Sequence, residues 1–329
     1  MRVGIDVAPL VQTRAGTARV VRGLLGELER LPDLELVRLG FGGPGRGTAL
    51  VRDVAWYPGL LPLRARRERL DVLHCTTYRA PLRSPVPVVV TVHDLAVIRH
   101  PEFFTAWTRL YGATALGSVL RAAARVIAVS EFTGREVVEL AGVRAERVRV
   151  VPNATDRVFT ADGPAADGDY VLAVGTLEPR KNLPRLVEAT RLLGLELRVV
   201  GARGWGGVEI VQGSRVSWLG FVPDDQLAAL YRGALCFVYP SVYEGFGIPV
   251  LEAMQCGAAV VTSAGTAMEE VVGPAAELVD PLDPAAIAGG IERAIARRAE
   301  LRPLGLERSR HFTWAAAAEA TARVYRELA

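Results

Sequence analysis

Two carboxylates, Glu244 and Glu252, stand with seven residues between them inside the stretch YPSVYEGFGIPVLEAMQCGAAVVTS, which runs from Tyr239 to Ser263. A strand of buried type over 235–239 leads in. A loop carrying Gly245, Phe246 and Gly247 follows, then a short helix over 248–255 and a second apolar strand over 258–262. Pro249 suits the first helical turn, where its missing N–H leaves no bond unmade, and Gly257 suits the position just past the helix end. The glycines leave backbone amides uncovered at a helix N-terminus, an arrangement that binds anions and phosphates above all. Carboxylates repel phosphate, so Glu244 and Glu252 must serve something else, and sugar hydroxyls can donate to them. Amides for a diphosphate flanked by carboxylates for hydroxyls describe a nucleotide-sugar site. On spacing alone, Glu252 would be a helix surface residue and Glu244 a loop charge; the strand–loop–helix–strand setting and the glycines favour the site.

The rest of the chain has to position that stretch. Its 329 residues suggest two domains, and a composition half hydrophobic, punctuated by Gly and Pro, is that of an ordinary soluble globular chain. No run of about twenty apolar residues calls for a membrane span, and MRVGIDVAPL reads as a first strand and not a signal peptide. Cys75, Cys236 and Cys256 are scattered without a C-x-x-C, which argues against a disulfide framework or zinc site and for a reducing, cytoplasmic location. A net charge of +3 is too small for a nucleic-acid footprint, so no nucleic-acid partner is expected. Among 39 basic residues Lys181 is the single lysine, and a compact ammonium does not substitute for a guanidinium.

Taken in order, 1–8 reads as a strand feeding a loop from Gln12 to Thr17, with Gly16 and Thr17 just before a helical pattern over 18–31. The second strand, 34–41, ends in GFGGPGRG, which contains a formal G-x-G-x-x-G at Gly40, Gly42 and Gly45. A dinucleotide fingerprint needs a helix to open on those glycines; Pro44 and TALVRD do not supply one, so a flexible loop is expected. The stretch 51–63 is mixed. Arg64, Arg66, Arg67 and Arg69 lie on a short helix and make either a solvated face or a basic patch touching anionic lipid or a lipid-linked acceptor. PVVVTV over 87–92 is a strand ending in His93-Asp94, the place where open α/β sheets bind ligands. Ser130 has no G-x-S-x-G around it and reads as a helix N-cap. Residues 160–168 form a linker, and Asp167-Gly168-Asp169 lies in it, so no metal is assigned there. Strand–helix alternation then restarts: a strand over 170–175, the turn TLEPRKN, a helix over 183–193, strands over 197–201 and 216–219, and Gly220-Phe221-Val222-Pro223 opening a helix over 224–232. A capped helix in VDPLDPAAIAGGIERAI and a long amphipathic helix over 311–329 close the chain.

EGFGIPVLEAMQCG resembles the E-x7-E signature of glycosyltransferase family 4, and VVVTVHDLAVIRHPEFF resembles the HDL-type, mannosyltransferase-like members of that family. GTLEPRKNL resembles the family's phosphate-binding turn, with Thr176 where the family has Arg, Lys181 in the Lys position and Arg180 expected to replace the missing cation. The resemblance covers nearly the whole chain. It implies an α/β GT-B fold: two Rossmann-like domains with parallel sheets facing across a cleft, 1–155 on the acceptor side and 156–312 for the nucleotide-sugar, with a C-terminal helix at about 313–329 crossing back to the first. It implies a retaining glycosyltransferase needing no metal or other cofactor. Such an enzyme moves a mannose- or glucose-type hexosyl group from GDP-mannose or a UDP- or dTDP-sugar to a glycan, lipid-linked or small-molecule acceptor. His93, Glu244, Lys181 and Arg180 would be the catalytic residues. Gly16, Thr17, Asp94, Phe221, Gly245, Phe246, Gly247, Ile248, Val250, Leu251 and Glu252 would bind the donor, Glu252 on the ribose and Phe221 near the base. A catalytically silent nucleotide-sugar-binding protein of the same fold and a nicotinamide-dependent oxidoreductase are the alternatives, and contact with the membrane surface stays open.

Overall fold

The structure, a computed structural model, describes residues 1–12, 16–43, 46–104, 106–204 and 215–328. The chain divides into two compact units, Met1–Ala154 with Phe312–Ala329, and Thr155–His311. Among the described residues each is built on a six-stranded sheet in which every pairing is parallel.

In the first unit β1 (Arg2–Asp6), β2 (Glu35–Leu39), β3 (Val72–Cys75), β4 (Val88–Val92), β5 (Arg125–Ala128) and β6 (Val148–Val150) take the order β2-β1-β3-β4-β5-β6. In the second, β7 (Tyr170–Val174), β8 (Glu196–Val200), β9 (Val216–Gly220), β10 (Cys236–Tyr239), β11 (Val260–Ser263) and β12 (Ala276–Val279) take the order β12-β11-β10-β7-β8-β9. A strand covered by helices on both faces has no polar side. VVVTV in β4 and CFVY in β10 are accordingly buried at every position. Each sheet is wound outward in both directions from its first strand, and the order reverses between β1 and β3 and between β7 and β10. At such a reversal the outgoing loops part and leave a crevice at the carboxyl ends of the strands.

Both faces of the first sheet are closed. One carries Leu61, Val97, Leu116, Leu120 and Val137 from the helices between strands. The other carries Val21, Leu25 and Leu28 of helix Gly16–Leu28 together with Ala318, Ala322 and Tyr325 of helix Trp314–Arg326. These two helices touch closely: a Cβ added at Gly23 would lie 2.3 Å from Trp314 Cε2, so only glycine admits the indole there. Tyr325 also reaches the sheet, its hydroxyl 2.6 Å from Nδ1 of the buried His74, whose Nε2 is 2.8 Å from Thr91 Oγ1.

Several expectations are revised. GFGGPGRG leads directly into a helix, Arg46–Val51, which continues through a π-helical stretch, Arg52–Leu60, into helix Leu61–Arg67. Residues 40–43 are irregular, as expected of a loop, residues 44 and 45 lie outside the described part, and from Arg46 through the stretch expected to be mixed the chain is helical. Pro58 interrupts the usual ladder by lacking an N–H, and the helix takes its wide turn around it. Arg69 lies past that helix with φ 52°. The loop expected from Gln12 to Thr17 is replaced at both ends by helix: Ala8–Gln12, and Gly16–Leu28 whose first turn holds Gly16 and Thr17. Ser130 caps helix Glu131–Ala141 by accepting from the Thr133 amide. The last helix starts at Trp314, capped by Thr313. Asp167-Gly168-Asp169 precedes β7, at the amino end of the strand and away from the crevice. No helix among the described residues is long and apolar enough to cross a membrane.

His74 makes the first unit sensitive to acid. Burial, with the neighbouring His93, pulls its imidazole from 6.5 down to about 3. The unfolded chain takes up this proton below 6.5 while the folded one refuses it, so stability is full above pH 6.5 and lost as pH falls towards 3. Between pH 6.5 and 4 the unfolding free energy of the wild type should fall with pH more steeply than that of His74→Gln, by about 1.4 kcal/mol per pH unit at most. Asp6, which burial raises to about 6, works in the opposite sense but is present in both chains. Urea unfolding at a series of pH values measures the difference, and parallel slopes would refute it.

Candidate functional site

The E-x7-E stretch lies where the second sheet reverses. β10 ends at Tyr239, the chain turns through Ser241 and Tyr243, and helix Ile248–Gln255 begins after Gly247. Gly247 takes φ 97°, and a Cβ there would lie 2.8 Å from Met268 Cγ, so backbone and space both demand glycine. On the adjacent strand, β7 leads into a single 3₁₀ turn, Pro179–Lys181. Asn182 follows at φ 58° and braces that turn against the next loop, its amide donating to Pro240 O at 3.1 Å and to Pro281 O at 2.5 Å. The Val242 amide donates to Arg180 O at 2.9 Å. The β7 and β10 loops are thereby fixed to each other.

That brace brings one carboxylate and two cations together. Lys181 Nζ lies 2.6 Å from Glu244 Oε1, and Arg180 Nη1 lies 2.8 Å from Glu244 Oε2. Tyr239 OH donates to Oε1 at 3.1 Å, and its ring lies under the ammonium, 4.9 Å from centroid to nitrogen. Glu178 joins from the other side, 3.0 Å from Arg180 Nη2. Glu178, Lys181 and Glu244 are all buried. Burial by itself pushes the Glu244 carboxyl up, but Arg180 and then Lys181 override it and hold it at about 2. Burial, and the like charge of Arg180, pull the Lys181 ammonium below its usual range, against the pull of Glu244.

This alters the reading of the cations. Arg180 and Lys181 are not bare charges waiting for phosphate: with Glu178 and Glu244 they form a balanced group of two positive and two negative side chains. Arg180 does stand on the same carboxylate as Lys181, where the chain has Thr176 in place of the family's arginine. Glu252 is 2% exposed, inside the helix's packed side, with Oε2 accepting from Tyr231 OH at 3.1 Å. The amides of Val250 and Leu251 are taken up by Gly247 O at 3.0 and 3.3 Å, so these two do not point out of the helix start. Phe246 is buried, while Phe221, beyond the carboxyl end of β9, is 77% exposed.

In the first unit, His93 follows β4 and Nε2 lies 2.9 Å from Thr76 O. A carbonyl only accepts, so Nε2 carries the proton. Burial lowers the His93 pKa, which keeps the ring neutral and leaves Nδ1 an acceptor. Asp94 Oδ1 accepts from the Ala96 amide at 3.1 Å and so shapes the turn after the histidine. Gly16 and Thr17 open their helix after β1, on the other side of β3. Tyr239, Glu178, Asn182 and Tyr231 belong to the second unit's site and were not singled out from the sequence. Glu178 and Asn182 stand inside GTLEPRKNL and Tyr239 opens the stretch that carries the E-x7-E motif, and those positions were the only signal for them. Among the described residues no group of three or more His, Cys, Asp or Glu side chains is placed to hold a metal ion.

Two Rossmann-like α/β units, the second with a charged crevice at its strand reversal, define a two-domain α/β architecture. Residues 10–159 match the family model described as Glycosyltransferase Family 4, and residues 156–308 match that of glycosyl transferases group 1. The O-antigen chain mannosyltransferase B of Escherichia coli is 35% identical over 353 residues, covering 98% of this chain and 88% of that protein. The D-inositol 3-phosphate glycosyltransferase of Acidothermus cellulolyticus is 28% identical, covering 98% and 79%. In fold, the chain is similar to sucrose-phosphate synthase from Thermosynechococcus elongatus (TM-score 0.78, 21% identity, 99% and 98% covered) and to HepE of Anabaena (TM-score 0.75, 20% identity, 99% of each). The chain belongs to glycosyltransferase family 4, has the GT-B fold and is a glycosyltransferase; the oxidoreductase alternative falls with that assignment.

The buried cluster should behave as a unit. Lys181→Met or Glu244→Gln alone leaves a buried charge with too little compensation, and each should destabilise by about 3 kcal/mol. The double variant should lose clearly less than the sum of the two. Urea unfolding of the four chains closes the cycle, and strict additivity would show that the pair is not coupled.

Proposed function

We propose that this chain is a retaining glycosyltransferase, acting without a metal ion, that moves a mannose- or glucose-type hexosyl group from a nucleotide-diphosphate sugar to an acceptor hydroxyl. The observation that carries it is the Glu244–Lys181–Arg180 cluster at the β7/β10 reversal, with Glu252 eight residues on, in the first turns of the helix behind it. The 35% identical relative is named a mannosyltransferase, which favours mannose. HepE was crystallised with UDP and glucose, which supports a nucleotide and a sugar as occupants of this fold.

Glu252 would accept from the ribose hydroxyls, exchanging its bond from Tyr231 for charged hydrogen bonds worth roughly 1.5–3 kcal/mol each. Glu244, held ionised, would accept from a hydroxyl of the transferred sugar. Lys181 and Arg180, held in direction by Glu244, would turn their remaining N–H groups to the diphosphate as its bond to the anomeric carbon breaks and charge gathers on the leaving oxygen. Groups prepositioned for developing charge lower the barrier without reorganising. The acceptor oxygen then bonds to the anomeric carbon on the face the diphosphate leaves, and its proton passes to the departing phosphate. The neutral His93, with Nδ1 as acceptor, would receive a hydrogen bond from a sugar hydroxyl and not abstract a proton.

The test combines binding and kinetics. The matching nucleotide, at about a hundred times its dissociation constant, should add roughly 2.7 kcal/mol of stability, and a chelator should leave this unchanged. Glu252→Gln should raise the donor KM about tenfold with kcat little changed. Lys181→Met should lower kcat about a hundredfold or more, assayed below its own melting temperature. Unaltered kinetics in both variants would remove the site assignment, and loss of transfer on chelation would remove metal independence.

A further inference from the structure

A second cavity lies wholly inside the first unit. It has a volume of about 410 Å³ and opens between the π-helical stretch Arg52–Leu60, the chain following β3, and the helical stretch that contains Tyr111, Ala115 and Val119. Its walls are aromatic and aliphatic, from Tyr57, Tyr111, Leu82, Ala115 and Val119. Leu82 is 58% exposed at the surface. Two guanidiniums share this lining. Arg79 stands 5.3 Å from the Tyr111 ring centroid and 5.8 Å from that of Tyr78, with Nε 3.0 Å from Asp53 Oδ1. Arg83 is exposed. Asp53 is the one carboxylate of the lining, and it is already shared with Arg52, whose Nε is also 3.0 Å away. No hydrogen bond occupies the terminal nitrogens of Arg79 among the described residues. The lining is therefore cationic at its polar end and apolar elsewhere.

The same helical segment presents an unusual outer surface. Val51, Val54, Leu60 and Leu63 are between 44% and 64% exposed, beside the exposed Arg64, Arg66 and Arg67. Apolar side chains left in water next to guanidiniums fit an amphiphile better than a sugar.

We propose that this cavity binds a single phosphorylated lipid, its phosphate held by Arg79 and Arg83 and the first isoprenoid-like or acyl segment of its chain laid against Tyr57, Tyr111, Ala115 and Val119. Guanidiniums bind phosphate in charge-assisted pairs, and the size matches pockets that take small organic ligands. The inference does not depend on which donor or acceptor the enzyme uses, because binding is read without either.

Isothermal titration of the full chain with farnesyl phosphate below its micelle concentration, with farnesol and with inorganic phosphate tests it. Farnesyl phosphate should bind at least about tenfold more tightly than either of the others, which each satisfy one end of the cavity. Ala115→Trp, which fills the apolar part, should weaken farnesyl phosphate about tenfold or more. Arg83→Gln, at an exposed position, should weaken it severalfold and reduce the salt dependence of binding. Glu252→Gln should leave it unchanged, so a wrong donor-site assignment would not disturb this result. Farnesol binding as well as farnesyl phosphate, or no effect of Ala115→Trp, would overturn the proposal. Co-sedimentation with phosphatidylglycerol vesicles separates the remaining source: equal sedimentation of wild type and Ala115→Trp, with no farnesyl phosphate bound, would mean that the outer face meets a lipid surface and the cavity holds nothing.

Discussion

A carboxylate removed from water stays ionised only if something replaces the water. At Glu244 that replacement is the ammonium of Lys181, the guanidinium of Arg180 and the hydroxyl of Tyr239. Burial works against ionisation and the two cations outweigh it. The rest of the second unit can be understood as what is required to keep those groups together. The parallel order sets β7 beside β10, and Asn182 in its left-handed conformation ties one loop to the other. Gly247 lets the helix start within reach. A loosened brace would separate charges in a site that tolerates no unpaired charge.

The same compensation makes the site useful for transfer. Cations that face an empty crevice would bind any anion and would be hydrated and mobile. Cations held on a buried carboxylate are fixed in direction before substrate arrives. The cost is that they are partly neutralised, which weakens their hold on any anion that meets them. Tyr231 plays a comparable part for Glu252, its hydroxyl donating to one carboxylate oxygen.

The first unit solves a different problem. Its carboxyl-end loops carry polar groups that are neutral or paired: His93 on Thr76 O, and Asp6 held by Tyr57 and the Ala8 amide. Burial raises Asp6 to about 6 and lowers His93, so both are kept from carrying a strong isolated charge. The last helix closes this unit's sheet from a point far along the chain, through Trp314 on Gly23 and Tyr325 on His74. A separate apolar cavity with two arginines is left beside these loops.

The sequence by itself determined whatever depends on neighbours along the chain. Unbroken β-branched runs specified buried strands. Pro249 and Gly257 bounded the helix that holds Glu252, Ser130 declared itself a cap, and the E-x7-E and RKN motifs marked the side chains that form the charged cluster. Where local signals conflicted the sequence misled: glycines suggested a loop over 40–47 and the prolines a mixed stretch over 51–63, while packing of Trp56, Tyr57 and Leu61 into the core made the described part from Arg46 onward helical. The helix Arg298–Ser309 escaped notice for a similar reason, with Pro303 inside it. Only the tertiary structure decided that Lys181 and Arg180 meet Glu244, because a gap of 63 residues between Lys181 and Glu244 is closed by strand order and not by any local preference. Strand order depends on how two helical layers cover a twisted sheet, a property of the whole chain. Tyr239, Glu178 and Tyr231 therefore became site residues only once the sheet had brought the two loops together.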